Sequence, residues 1–336
     1  MKKNLHHIRS LASVASVALF INMLKRTGPG AIVDKIRLLG WGFAFLIILL
    51  SGVRHVLRAV AWRYCVGVKE GRLSLLDFFG FRLVGETFND MTPAGPLVGE
   101  TIKALAVSRR ISAQSSVSSV VIENLIYGLA AVLFMLSGVV LVLIEFATPH
   151  GFRWLAGGLV TCFLVSMLLP YWIVSRRILL VGEILNRLKD IGLRWASLER
   201  YEHDLQAVEE SIHDFFRSRR GLFLGILAIE IATNFTGMGE AYLILKATSA
   251  QASVLAVYLV ESASRAVQLA FAFVPLGLGV QEGVAAATLQ GLGYAASEGV
   301  SLAIIRKIRT VCWAALGLLL AAKYYIVRTA EEGGTT

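Results

Sequence analysis

The chain has few cysteines and lacks the short motifs that mark most soluble enzymes. Its 336 residues include three cysteines, an odd number in apolar settings, which predicts core residues and no disulfide framework. There is no H-E-x-x-H, Walker A, G-x-S-x-G or C-x-x-C pattern, and the six histidines form no ligand-spaced cluster. No soluble segment is long enough for a separate catalytic domain. We therefore expect no metal and no cofactor.

Apolar residues are abundant instead. They make up 56% of the chain, and the mean hydropathy is +0.67. Apolar runs cover residues 11–24, 38–62, 115–146, 154–174, 221–245 and 308–327, and several are long enough to cross a bilayer. We predict an all-α polytopic membrane protein with about six spans. The first run is expected to be a retained signal anchor, with a cleaved signal peptide as the alternative.

The positive charge of the chain fits a membrane protein better than a nucleic-acid-binding protein. The formal net charge is +10, and the Lys and Arg residues lie mostly between the apolar runs. In such loops they set orientation and meet anionic headgroups. Their distribution predicts that both termini lie on the cytoplasmic side of a bacterial inner membrane, and we expect no nucleic-acid partner.

Two short stretches carry the same pattern, P-x-G-x-x-V-x-E. Residues 93–100 and 275–282 both fit it, and the matched positions are Pro93, Gly95, Val98, Glu100 and Pro275, Gly277, Val280, Glu282. Pro and Gly break helices, and a Glu beside them is costly in lipid. One broken segment in each half of a membrane chain indicates the central site of a transporter. We predict two re-entrant hairpins, at residues 74–110 and 252–298.

The spans around the two hairpins predict an internal repeat. The first copy covers about residues 37–146 and the second about residues 221–327. Three spans separate their starts, so the second copy should be inverted relative to the first. Residues 175–220 connect the copies, and apolar residues recur there at steps of three and four: Leu198, Tyr201, Leu205, Val208, Ile212 and Phe215. This stripe either packs on the helix bundle or belongs to a lid.

Several charged residues are candidates for a lipid-headgroup site. Arg54, Arg58 and Trp62 share one helix face, which suits phosphate binding, although the Arg side chains could instead reach to the interface. The residues that we expect to line the substrate path are Arg54, Arg58, Trp62, Asn89, Pro93, Gly95, Glu100, Lys103, Glu123, Arg265, Pro275, Gly277, Gly279, Glu282 and Arg306.

Four ion pairs are predicted among these residues and their neighbours. Glu100 is expected either to pair with Lys103 or to cap the helix after the break, and Arg265 is expected to pair with Glu261. Across the repeat, Glu123 is expected to pair with Arg306. The partner of Glu282 is expected to be Arg58, Arg265 or Arg306, unless the carboxyl group is protonated and serves proton coupling.

The residues around the first break resemble a known family. The run from Gly85 through Asn89 and Pro93 to Glu100 is similar to the signature of the lysylphosphatidylglycerol synthase transmembrane, or flippase-like, family. The segments Arg58-x-x-x-Trp62 and 275–283 are similar to its other recurring segments. The family usually carries Arg where this chain has Lys103, which keeps the charge and weakens bidentate recognition.

The resemblance implies that the protein moves lipid between leaflets. In the two-domain relatives a cytoplasmic domain aminoacylates phosphatidylglycerol and the membrane part flips the product. We expect this chain to lack that synthase domain and not to be an enzyme. The lipid could be anionic, polyprenyl-linked, a hopanoid, or a glyco- or aminoacyl-lipid, and a lipid-synthesising enzyme is a candidate partner. The alternatives are a membrane enzyme that uses Glu100 or Glu282 as acid or base, and a non-catalytic partner subunit.

Overall fold

The described part of the protein is helical. The computed structural model describes residues 39–66, 73–92, 95–145, 202–249, 251–271 and 274–333, with isolated positions in 30–37 and 157–165. Within these ranges there is no strand, which confirms the all-α prediction. The helices are α1 (Gly40–Val66), α2 (Leu75–Met91), α3 (Gly95–Ser108), α4 (Ala113–Glu145), α5 (Glu202–Ser218), α6 (Arg220–Thr248), α7 (Val254–Ala270), α8 (Val280–Gly291) and α9 (Ala296–Gly333), with a 3₁₀ turn at Pro275–Gly277.

Three of these helices, α1, α4 and α6, are long and apolar enough to cross a membrane. They coincide with the predicted spans at 38–62, 115–146 and 221–245. The predicted span at 308–327 is helical within α9, although α9 is not one of these three. The predicted spans at 11–24 and 154–174 lie outside the described residues, apart from isolated positions in the second. The chain is a multi-pass membrane protein.

Both predicted helix breaks are present. α2 ends at Met91 and α3 begins at Gly95, while α7 ends at Ala270 and α8 begins at Val280. In the second break, Leu276, Gly277 and Gly279 have φ values of 54°, 56° and 80°. This left-handed backbone suits glycine and is strained for leucine. The repeated motif thus needs its glycine at position 277 for backbone reasons. The inverted arrangement of the two copies stays a prediction.

Local caps set the helix starts. Before α2, the Ser74 hydroxyl accepts the Asp77 N–H at 3.2 Å, and the Asp77 carboxylate accepts the Ser74 N–H at 2.8 Å. This reciprocal arrangement is a capping box. The Ser253 hydroxyl caps α7 by accepting the Ala256 N–H at 3.5 Å. These caps satisfy N–H groups that the first helical turn leaves open.

The chain forms two compact units. The first consists of Met1–Val56, Phe79–Lys103 and Thr233–Thr336. Its apolar core joins α6, α7, α8 and α9 through fully buried side chains such as Ile244, Val260 and Leu289. A methyl group on Gly299 of α9 would lie 2.5 Å from the backbone of Ala285 in α8. The missing side chain therefore permits the close packing of these two helices.

The second unit consists of Leu57–Phe78 and Ala104–Ala232. Here α5 packs on α4. Ile212 and Phe215 of the predicted apolar stripe are buried, and the Gln114 amide of α4 donates to the Ala207 carbonyl oxygen at 2.7 Å. The interpretation that the stripe packs on the bundle is confirmed for residues 202–218. Leu198 and Tyr201 lie outside the described residues.

Candidate functional site

A small polar pocket in the first unit collects charged side chains from three helices. Its volume is about 50 Å³, room for a few water molecules or one small polar group. α1 contributes Arg54 and His55, and α9 contributes Arg309. The remaining lining residues come from α2 and α9: Leu83, Glu86, Thr87, Asp90, Thr310, Trp313 and Ala314. Steps of three and four put the α2 residues on one face of that helix.

One wall of the pocket is a hydrogen-bonded chain. Arg82, almost fully buried, donates to the Glu86 carboxylate at 2.7 Å, and His55 Nδ1 lies 2.9 Å from the other carboxylate oxygen. The His55 ring packs against Trp313, with ring centroids 4.7 Å apart. Glu86 thus has two partners that fix its position.

Some polar atoms around the pocket have no hydrogen-bond or ion-pair partner among the described residues. Among the residues that the structure describes, Arg54 and Asp90 form no hydrogen bond and no ion pair. The indole N–H of Trp313 and the Nε–H of Arg309 are buried and have no acceptor within the same residues. A buried donor without an acceptor costs about 1–3 kcal/mol. The pocket therefore offers donors and a guanidinium group that an anionic ligand could satisfy.

Arg309 also belongs to a buried ionic cluster in the first unit. It pairs with Glu240 of α6. Arg306 donates to Glu261 at 2.5 Å and to the Gly237 carbonyl oxygen at 3.0 Å. Arg265 lies 3.2 Å from Glu261, which confirms the predicted pair within α7. Each cation of this cluster thus meets a carboxylate, as charges in a membrane helix require.

Two contacts fix the position of the Glu282 carboxylate at the start of α8. Its carboxylate is fully buried and accepts the Gly279 N–H at 2.8 Å, which closes a capping box. The other oxygen pairs with Lys307 of α9. The expectation of Arg58, Arg265 or Arg306 as partner was wrong. Lys307 is 25 residues further along the chain, and only the packing of α8 on α9 brings the two together.

The first break holds its own ion pair. Lys103 Nζ lies 2.5 Å from the Glu100 carboxylate, so the predicted pair is confirmed. A methyl group on Gly85 would lie 2.8 Å from the Gly99 carbonyl oxygen, which shows how closely α2 and α3 pack. Asn89 is half-buried beside Gly99. Pro93 lies outside the described residues, as do the surroundings of Gly95 and Pro275.

The predicted basic face of α1 has buried contacts in the second unit. Arg58 donates to the fully buried Glu123 at 3.0 Å, lies 3.6 Å from Glu230, and stacks on the Tyr127 ring at 3.8 Å. Trp62 is fully buried and donates to the Ser119 hydroxyl at 3.2 Å. The alternative that the Arg side chains reach to the interface was therefore wrong for Arg58.

The predicted pair of Glu123 with Arg306 was also wrong. Glu123 has Arg58 as its partner, and Arg306 has Glu261 and, at 3.9 Å, Glu240. Each side chain finds its counter-charge within its own unit. Glu123 is fully buried and Arg306 is half-buried, and each pairs with a charge other than the predicted one.

Several polar residues around the pocket were not among the predicted site residues. His55, Glu86, Asp90, Arg309 and Trp313 line it, whereas Arg54 was predicted. The four-residue spacings of Glu86 with Asp90 and of Arg309 with Trp313 were a usable signal. The residues that the structure describes contain no cluster of three or more His, Cys, Asp or Glu side chains suited to a metal ion.

Comparison with known proteins connects this geometry to a family. The family described as "Lysylphosphatidylglycerol synthase TM region" matches residues 8–318, which includes both helix breaks and the pocket. No curated protein and no solved structure matches the chain. The match covers most of the sequence and points to a function connected with membrane lipid. The chain belongs to the lysylphosphatidylglycerol synthase TM region family.

Proposed function

We propose that this protein is a transporter that moves a lipid with a phosphate-containing headgroup between the two leaflets of a membrane. The observation that carries the proposal is the pocket of the first unit, where Arg54 has no ion-pair partner among the described residues. A charged side chain within a membrane helix costs about 2.5–3.5 kcal/mol. Because no described carboxylate lies within ion-pair distance of Arg54, a phosphate can bind its guanidinium group without displacing a protein partner.

The donors around Arg54 suit a phosphate group. Arg309 lines the same pocket from α9, and its Nε–H and the indole N–H of Trp313 lack acceptors within the described residues. Guanidinium groups bind phosphate oxygens through paired hydrogen bonds, and an indole adds one more donor. A phosphate of a lipid headgroup could use all three side chains at once.

The size of the pocket fits the polar part of a lipid. A volume of about 50 Å³ admits a headgroup fragment and excludes acyl or prenyl chains, which would remain in the surrounding lipid. A transporter with such a pocket binds the headgroup while the acyl or prenyl chains of the lipid remain in the hydrocarbon of the membrane. Family membership, which points to membrane lipid, supports the same substrate class.

The contacts of the two repeated glutamates favour transport over catalysis. A general acid or base must reach its substrate and exchange protons with it. Glu100 is held by Lys103, and the buried Glu282 is held by Lys307 and by the Gly279 N–H. Both carboxylates thus fix their hairpins, which supports a transporter that is not an enzyme.

The cellular setting belongs to the same proposal. We place the protein in a bacterial cytoplasmic membrane, with a membrane lipid as its substrate and a lipid-synthesising enzyme as the source of that lipid. The basic loops between apolar runs support this setting.

A reconstituted assay tests the function. The full chain in liposomes would be given fluorescent phosphatidylglycerol or a fluorescent polyprenyl phosphate, and lipid reaching the outer leaflet would be quenched by an impermeant reductant. We expect faster movement than in protein-free liposomes for at least one of the two lipids. Equal rates with and without protein for both lipids would refute the proposal.

Variants of Arg54 sharpen the assay. Arg54→Gln removes the charge, and we expect a rate reduced about tenfold or more, the effect of about 1.4 kcal/mol. Arg54→Lys keeps the charge without the paired donors and should lie between Arg54→Gln and the unchanged protein. Arg217→Gln, on the exposed end of α5, is the matched control and should transport normally. Normal transport by well-folded Arg54→Gln would remove the pocket from the mechanism.

A further inference from the structure

We infer that Asp90 takes up a proton when the phosphate headgroup binds beside Arg54, so that lipid and proton move together. The inference rests on the proposed function and adds the coupling ion to it. Its basis is the position of Asp90, which lines the same pocket from the last turn of α2.

Asp90 differs from the other acidic residues of the first unit that are discussed above. Glu86 is held by Arg82 and His55, Glu240 by Arg309, and Glu261 by Arg306 and Arg265. Glu100 and Glu282 each have a lysine. Among the described residues, Asp90 alone of this set has no hydrogen bond and no ion pair. Its carboxyl group can therefore gain or lose a proton without breaking a contact.

The groups around Asp90 come from three helices. α1 contributes Arg54 and His55, α2 contributes Glu86, and α9 contributes Arg309. Burial is the largest influence on the Asp90 carboxyl group and favours its protonated form, as does Glu86, one helical turn before it, whereas Arg54 and Arg309 favour the carboxylate. Arg309 and Glu86 already have partners, so Arg54 is the cation that remains to balance Asp90. The ionised state of Asp90 in the empty pocket thus depends on Arg54.

A phosphate bound to Arg54 changes this balance. The anion neutralises the positive charge of Arg54 and places a second negative charge beside Asp90. Asp90 then binds a proton from water, because two adjacent anions repel each other. The pocket gains one negative charge from the phosphate and one positive charge from the proton. Its net charge is therefore the same with and without the bound headgroup. A complex without added charge crosses hydrocarbon more easily than a charged one.

Two measurable consequences follow from linkage. Each lipid bound should be accompanied by roughly one proton, and lipid affinity should fall about tenfold per pH unit once Asp90 is ionised in the empty state. Lipid movement should also follow a proton gradient. Since His55 lines the same pocket, a titrating histidine must be separated from Asp90 by mutation.

The first experiment measures lipid movement in proteoliposomes with and without a pH gradient, using fluorescent phosphatidylglycerol and fluorescent polyprenyl phosphate. For the unchanged protein we expect a several-fold change in rate when the gradient is imposed. Asp90→Asn should still move lipid but should not respond to the gradient. His55→Gln should keep the response, as should the matched control Asp204→Asn, which alters an exposed acid on α5.

The outcomes separate the two proposals. If neither lipid moves with unchanged protein, the proposed function fails. If lipid moves at a rate that ignores the gradient, or if Asp90→Asn keeps the gradient response, the coupling inference fails and the proposed function stands. A response lost in His55→Gln and kept in Asp90→Asn would assign the proton to His55 and overturn the role of Asp90.

A second experiment decides the matter if Asp90→Asn does not fold. Purified unchanged protein in weakly buffered detergent would be titrated with short-chain phosphatidylglycerol or with a short-chain polyprenyl phosphate while a pH dye records proton uptake. We expect roughly one proton per lipid bound. Binding without proton uptake, at an affinity that does not change with pH, overturns the inference.

Discussion

If the two predicted copies are aligned by their motifs, each copy holds an ion pair between its first and last long helices, and the charges of that pair are exchanged. In the first half, Arg58 of α1 lies 3.0 Å from Glu123 of α4. In the second half, Glu240 of α6 pairs with Arg309 of α9. The second motif stands 182 residues after the first (275 minus 93), which makes Glu240 the counterpart of Arg58 and puts the counterpart of Glu123 beside Arg306.

In the predicted repeat, these corresponding positions require a pair of opposite charges but not a fixed order of the two. The attraction between two opposite charges is the same whichever helix carries the cation, and a buried charge of either sign needs a partner. The position of the pair is therefore constrained by burial, whereas its polarity is free to change. A search for identical residues misses such a correspondence.

The two helix breaks differ in how their glutamates are held. Glu100 meets Lys103 on its own helix, one turn away, whereas Glu282 meets Lys307 on the long helix α9. The Glu100 side chain keeps 30% of its surface exposed, and the Glu282 side chain keeps none. The first hairpin thus has a local ion pair whose lysine is buried and whose carboxylate is partly exposed, and the second is attached to α9 by an ion pair with a fully buried carboxylate.

The largest expected effect breaks the ion pair of the first half. Arg58→Gln leaves the fully buried Glu123 and Glu230 without their guanidinium partner. We expect a loss of about 3–5 kcal/mol in the free energy of unfolding, measured by denaturant titration in detergent. Arg63→Gln, on an exposed position of the same helix, is the control and should change it by about 0.5 kcal/mol or less.

A second substitution makes that test specific. Adding Glu123→Gln to Arg58→Gln removes one of the two carboxylates that lose the contact with Arg58 and should recover part of the lost stability. If the double variant is no more stable than Arg58→Gln, the charge of Glu123 is not what makes the single change costly.

The next effect separates the two hairpins. Lys307→Gln leaves the buried carboxylate of Glu282 with the Gly279 N–H and no cation. We expect the free energy of unfolding to fall by about 3 kcal/mol, because one partner of a buried pair is removed. Both variants would be measured by denaturant titration in detergent, and Lys323→Gln, exposed on the same helix, should be neutral. An equal effect of both changes would contradict the attachment of the second hairpin to α9.

A packing change in the second hairpin should have a smaller effect. Gly299→Ala puts a methyl group 2.5 Å from the backbone of Ala285, so α8 and α9 must separate. The expected loss is about 1–3 kcal/mol in the free energy of unfolding. Gly283→Ala on α8 has no atom within 4 Å of the new methyl group and is the matched control. Similar unfolding midpoints for the two variants would show that α8 and α9 separate at little cost in free energy.

The smallest effect is expected at the first hairpin. Lys103→Gln removes the partner of Glu100, which remains partly hydrated. We expect a loss of about 1 kcal/mol, because the remaining Glu100 carboxylate reaches water, although the Lys103 side chain itself is buried. Measured beside Lys307→Gln, this variant compares the two breaks directly. A loss as large as that of Lys307→Gln would mean that the two hairpins are held equally strongly.

Much of the fold followed from the chain because it depends on neighbours in sequence. The apolar runs predicted α1, α4 and α6, and the Pro and Gly residues predicted both breaks. The pairs Glu100–Lys103 and Glu261–Arg265 were predictable because residues three or four apart share a helix face. The resemblance around the first break led to the family that the comparison confirmed.

The candidate site was only partly predictable. Arg54 was identified from its helix face, but the expected partners of Glu123, Arg306 and Glu282 were wrong. The true partners lie 65, 45 and 25 residues away along the chain. Spacing along one helix carries no information about which other helix a side chain will meet.

The sequence by itself determined that this protein is helical, crosses a membrane and interrupts two of its segments, because hydrophobicity and helix breaking act within short stretches of chain. Only the tertiary structure decided which charges on different helices neutralise each other and which remain. Arg54 and Asp90 were left beside an open pocket because α1, α2 and α9 pack so that the other charged residues there are paired. Burial makes each unpaired charge costly, so the arrangement of whole helices decides where a ligand can bind.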